Sequence, residues 1–180
     1  MSSLTVQNIQ GSASSSNTIN VASGHKISGA TGSIVAAGMS IQQLHQTITA
    51  YFSTSATSLV ATGFELTITP KYSSSIIKCT VGFNGLYCAQ QNTGWRLELM
   101  KNGSSIAYLD DVTGYGISGQ NANQGFNPTH VYFDNPNTTS ATTYAIHGNR
   151  NGGSGNAHFN NYITGNNRTR SWFTVEELAQ

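Results

Sequence analysis

The chain has 180 residues and a net charge of +1, and only 8% of its residues are charged, against about 25% in an average globular protein. Nucleic-acid binding is not expected, because it needs clustered basic residues and Lys71, Lys78, Arg96, Lys101, Arg150, Arg168 and Arg170 are scattered, with only the last two close together. Plentiful Tyr, Phe, Val, Ile and Thr argue for a folded β protein rather than disorder, and with no apolar run near transmembrane length and no basic n-region or apolar h-region in MSSLTVQNIQGS, neither membrane insertion nor a signal peptide is expected.

Residues 1–40 differ from the rest. LTVQNIQGSASSSNTINVASGHKISGATGSIVAAG is Ser, Gly, Ala, Asn and Thr, with apolar residues in short beats. Leu4, Val6 and Ile9 form one beat, Ile19 and Val21 the next, and Ile27, then Ile34 and Val35, follow. Each beat is too short to build a core alone. One reading is a flexible Ser/Gly linker. The other, favoured by the recurring Ile and Val, is an extended anchor arm that becomes ordered against copies of itself or a partner.

Residues 41–180 are expected to form a second region, an all-β sandwich. Met39 to His45 (MSIQQLH) is the only helix candidate, but it is short and runs into β-rich sequence. Phe64, Leu66 and Ile68 alternate with Glu65, Thr67 and Thr69, which puts them on one face of a strand, and Pro70 closes it. Ser75 to Cys88 reads as one long strand or as a hairpin at Asn84-Gly85. The hairpin would bring Cys79 near Cys88; otherwise both are buried free thiols. Trp95, Leu97 and Leu99 alternate with Arg96, Glu98 and Met100, and Asn102-Gly103 then signals a tight hairpin returning through Ile106 to Leu109. Gly114 to Asn127 is a Gly/Asn/Gln-rich loop. Val131 to Phe133, Thr142 to His147, His158 to Ile163 and Trp172 to Leu178 supply further strands, and Asn149 to Asn156 reads as a turn. Short strands at this spacing with Gly/Asn turns indicate a sandwich or jelly roll.

Catalytic signatures are sparse. The acidic residues Glu65, Glu98, Asp110, Asp111, Asp134, Glu176 and Glu177 show no pattern that points to a carboxylate pair across a cleft. His25, His45, His130, His147 and His158 lack metal-ligand spacing, although His147 and His158 flank a Gly-rich turn. No catalytic residue, cofactor or metal is expected. The candidate contact surface is the aromatic and amide-rich loop carrying Tyr115, Asn121, Asn123, Gln124 and Phe126. Such side chains suit sugar faces and hydroxyls, a subunit interface, or simple packing under the loop.

TSLVATGFELTITPKYSSSIIKCTVGF, WRLELMKNGSSIA, YFDNPNTTSATTYAIH and WFTVEEL together resemble the small β-sandwich domains of marine and cyanobacterial phage virion proteins. LTVQNIQ and INVASGHKISG resemble the leading segments of phage fibre proteins. The resemblance implies a jelly roll of the tumour-necrosis-factor and complement-C1q type, a homotrimer, no enzymatic activity and a place on the virion. Two virion roles fit it. One is a tail fibre or spike, docked to other virion proteins by its arm and contacting host surface glycan or protein. The other is a capsid decoration protein that clamps capsid subunits. A free carbohydrate-binding module is the third reading, from a different class.

Overall fold

The computed structural model describes residues 22–24, 35–88, 90, 92–112, 124–160 and 170–180. The chain divides into a unit at Met1–Ile34 and a unit at Val35–Gln180. The arm residues Leu4, Val6, Ile9, Ile19, Val21 and Ile27 lie outside the described residues. Everything below concerns the second unit.

Its alternating sequence becomes twelve strands among the described residues: β1 (Ser40–Ile48), β2 (Phe52–Thr54), β3 (Val60–Ile68), β4 (Ile76–Gly82), β5 (Leu86–Cys88), β6 (Gly94–Lys101), β7 (Ser104–Val112), β8 (Gln124–Phe126), β9 (Thr129–Asp134), β10 (Thr142–Asn151), β11 (Ala157–Phe159) and β12 (Ser171–Leu178). There is no helix among the described residues, and most of MSIQQLH lies in β1. The strand expected to stop at His147 runs on to Asn151, so the turn after it is shorter than the sequence suggests. Three antiparallel four-stranded sheets result, in the orders β1-β12-β4-β9, β3-β10-β6-β7 and β2-β11-β5-β8. The protein is all-β, compatible with a β-sandwich.

The pairing is nested. β1 pairs with β12, β2 with β11, β3 with β10, β4 with β9, β5 with β8 and β6 with β7. The innermost turn is Asn102-Gly103, where φ is 48° and 83°. Two successive positive φ values give the turn whose twist matches the flanking strands, and Asn-Gly adopts it at least strain. The other Asn-Gly pair behaves differently. β4 and β5 belong to different sheets, so Asn84-Gly85 is a bend between sheets, with Gly85 at φ 77°, and Ser75–Cys88 is neither one strand nor a hairpin.

The inward side chains of all three sheets form one core. It includes Phe64, Ile68, Ile77, Cys79, Val81, Phe83, Leu86, Trp95, Leu97, Leu99, Tyr144, Ile146, Phe159, Phe173 and Val175. Polar clasps join the sheet edges. On one side, Gln46 Nε2 donates to Gly63 O at 3.1 Å and its Oε1 accepts from Glu65 N at 3.0 Å, so a side-chain amide pairs the β3 edge as a strand would. On the other, Asp134 accepts from Lys101 Nζ at 2.9 Å and from Tyr144 Oη at 2.6 Å. Glu177 is fully buried. It accepts from Lys71 N at 2.7 Å, Tyr72 N at 3.2 Å, Ser75 Oγ at 2.7 Å and Gln42 Nε2 at 2.5 Å. These four bonds compensate the desolvated carboxylate.

The register gives this unit two distinct ends. At the base lie Val35–Met39, the Pro70–Ser75 loop, the Asn102-Gly103 turn and Ala179. There Gly38 N donates to Ala179 O at 2.8 Å and Ala179 N to Met39 O at 2.9 Å. The short strands β2, β5, β8 and β11 form the opposite end, the crown. Val112, Gln124, Asn160 and Arg170, which flank residues 113–123 and 161–169, lie at the crown as well.

Candidate functional site

Of the expected contact loop, Tyr115, Asn121 and Asn123 lie outside the described residues. Gln124 pairs with Cys88 where β8 joins the crown sheet. Phe126 is 43% exposed, and its ring stands 5.4 Å from that of buried Trp95. It caps a core residue while offering its outer surface to solvent.

No local pattern marks the aromatic group beside it. His158 of β11 lies between two tyrosines, 5.7 Å from the ring of Tyr51 and 5.1 Å from that of Tyr87. His158 Nδ1 is hydrogen-bonded to Tyr51 Oη at 2.6 Å. β5 pairs with β11, which sets His158 opposite Tyr87. Burial pushes the His158 imidazole below its ordinary pKa. Asn160 fastens this region from beneath. Its Nδ2 donates to Ile48 O and Ala50 O, both at 2.9 Å, and its Oδ1 accepts from Ser171 N at 3.1 Å and Ser171 Oγ at 2.9 Å. The amide uses its whole bonding capacity, at a positive φ of 56° that Asn tolerates. Next to Tyr51 opens a groove of about 580 Å³ lined by Ile48, Ala50, Phe52, Ala61 and Thr62, among others.

A second polar group stands on the outer face of the sheet β3-β10-β6-β7. Arg96 bonds Asp111 Oδ2 through Nε at 3.2 Å and Nη2 at 3.0 Å, and its Nη1 is 3.9 Å from Glu98 Oε1. Asn151 Nδ2 donates to Asp111 Oδ1, and Ser105 Oγ to Glu98 Oε2. The guanidinium sits 5.1 Å above the Tyr108 ring. Glu98 and Asp111 therefore flank one arginine rather than face each other across a cleft.

His147 and His158 lie on strands of different sheets. Cys79 and Cys88 are free and buried. Among the described residues, no group of three or more His, Cys, Asp and Glu side chains is placed to hold a metal ion.

The third surface is apolar. β9 alternates inward His130, Tyr132 and Asp134 with outward Val131 and Phe133, which are 52% and 57% exposed. Both stand on the outer face of the sheet β1-β12-β4-β9, where Phe133 is the register partner of Lys78 and Val131 that of Thr80. No protein-family model matches the chain, and no curated protein matches it.

Proposed function

We propose that the protein is a non-enzymatic bacteriophage virion structural protein. It is a homotrimeric fibre or spike, held to other virion proteins by its N-terminal arm and presenting the crown of a jelly roll to the host surface. The observation that carries this reading is the polarity of the sandwich unit. The chain enters it at Val35, at the base, while Tyr51, His158, Tyr87 and Phe126 gather at the crown. A chain entry at one end of the unit and an aromatic surface at the other suit a body that docks and presents.

Two features support the finer parts of the proposal. The nested pairing of first strand with last, through to the central hairpin, is what a long hairpin wrapped into a jelly roll requires. Exposed Val131 and Phe133 give a second and third copy an apolar face to cover.

Sedimentation of the purified chain tests the assembly, with three times the 19.1 kDa chain mass expected and a monomer overturning it. Gold-labelled antibody on intact particles tests the place, with label at tail tips expected. Label spread over the head would replace the fibre with a capsid decoration protein, and unlabelled particles would overturn the virion reading. Deleting Met1–Ile34 should leave a folded sandwich that no longer joins particles.

A further inference from the structure

The outer face of β6 and β7 carries an irregularity with a chemical consequence. In a regular strand, residues three apart point to opposite faces. Tyr108 and Asp111 are three apart, yet both flank Arg96 on the same face. The cause is a bulge: Leu97 is opposite Asp110 while Glu98 is opposite Tyr108, so β7 carries an extra residue at Leu109. Bulges re-aim side chains and concentrate beside functional sites. A surface ion pair contributes little to stability, so the Arg96–Asp111 pair alone gives the bulge no structural purpose.

The aligned groups form a ready-made receptor. Tyr108 is 68% exposed, the most open of the large hydrophobic side chains among the described residues. Beside it runs a fixed row of planar polar groups. Asn151 donates to Asp111, Asp111 holds Arg96, and Arg96 reaches towards Glu98, which Ser105 anchors. Each group is held by another, so little side-chain freedom is lost on binding. The carboxylate accepts, the amide and guanidinium donate, and the ring offers an apolar face, so the set matches vicinal hydroxyls beside the C–H face of a sugar. Two carboxylates against one guanidinium leave the site negative, which disfavours anionic sugars. The exposed pair Val131 and Phe133 lies on a different sheet.

We propose that Tyr108, Arg96, Asp111 and Asn151 bind neutral pyranose units of a surface polysaccharide. The inference deepens the display reading by naming its ligand class, and rests on that reading for its biological setting.

The test uses the full chain and a panel of neutral oligosaccharides (maltotriose, cellotriose, mannotriose and galactotriose), with sialyllactose and trigalacturonate as anionic probes. Saturation-transfer NMR reads the contact, and titration reads the affinity. At least one neutral sugar should bind at roughly millimolar Kd, with both anionic probes at least tenfold weaker. Tyr108→Ala should weaken binding at least tenfold, Tyr108→Phe should retain it, and Asp111→Ala should weaken it by a similar factor. Thermal melts establish that each variant is folded, and Lys71→Ala at the base of the unit should bind as the parent does. No neutral sugar bound, or binding indifferent to both alanine variants, overturns the proposal. The two readings fail separately: a labelled tail with no sugar binding removes this site and leaves display standing. Tyr108-dependent binding by a chain absent from particles does the reverse.

Discussion

The indole of Trp172 lies across the backbone of Gly82, its register partner on β4, so closely that a Cβ at Gly82 would stand 2.5 Å from the ring. His45 of β1 stacks near the indole at 6.5 Å between ring centroids. Three strands of one sheet are thus tied by a side chain that needs a bare backbone under it. Gly82→Ala should displace the indole and cost about 1–3 kcal/mol in urea denaturation. Tryptophan emission should shift to the red, because the other tryptophan, Trp95, is 2% exposed and stays covered. Combining Gly82→Ala with Trp172→Ala should recover most of the clash, giving a double-mutant coupling well above zero.

Glu177 anchors the Pro70–Ser75 loop from the far end of the sequence. Glu177→Ala strands Lys71 N and Ser75 Oγ without their acceptor. At ~1–3 kcal/mol for the buried Ser75 hydroxyl left without its acceptor, and less for the Lys71 amide, which water can reach, the loss should be roughly 2–3 kcal/mol. Ser75→Ala removes one donor and should cost about 1–2 kcal/mol. Hydrogen exchange at the Lys71 amide should accelerate in the glutamate variant and change little in the serine variant.

Acidification should destabilise the fold. Burial lowers the pKa of His158, and that of His130, where Asp110 at 4.0 Å opposes the shift. The unfolded chain therefore binds more protons than the folded one as pH falls through the ordinary histidine value of about 6.5, and stability drops with it. Urea midpoints measured between about pH 7.5 and 5 should fall. His158→Phe keeps a ring between Tyr51 and Tyr87 but cannot titrate, so it should flatten part of the slope. An unchanged slope would remove His158 from the account.

Neither thiol should react in the native protein. Burial raises both pKa values, that of Cys88 to about 11, and the Asp134 charge adds to the effect at Cys79. Iodoacetamide at neutral pH should leave the native chain unmodified and add two adducts after denaturation. One adduct in the native state would place that cysteine at the surface.

The parts of the fold legible in the sequence were those written locally. Phe64, Leu66 and Ile68, and then Trp95, Leu97 and Leu99, announce their inward faces by alternation alone. Asn102-Gly103 announces its turn because two positive φ values are needed at adjacent residues. The same dipeptide at Asn84-Gly85 misleads, since only the partners of β4 and β5, far away in sequence, decide that the chain bends there instead of reversing. Glu177 was one of seven acidic residues that showed no pattern. Its one local clue is that it continues the inward series Phe173 and Val175, while its partners lie about a hundred residues upstream. The bulge at Leu109 left no local mark, so Tyr108 and Asp111 read as residues on opposite faces. The Tyr51–His158–Tyr87 group was equally hidden, being brought together by β11 and β5 from distant parts of the chain.

β12 lies in the middle of its sheet, between β1 and β4. Of the strands in its sheet it is synthesised after the other three, so a nascent chain on the ribosome holds β1 and β4 with the strand that joins them still missing. Pairing across such separations is slow and leaves open edges exposed meanwhile. A chain broken off before Ser171 keeps every other strand and still lacks the centre of one layer and the carboxylate that fastens the base. The architecture thereby acts as proofreading: a copy terminated before Ser171 cannot close this sheet.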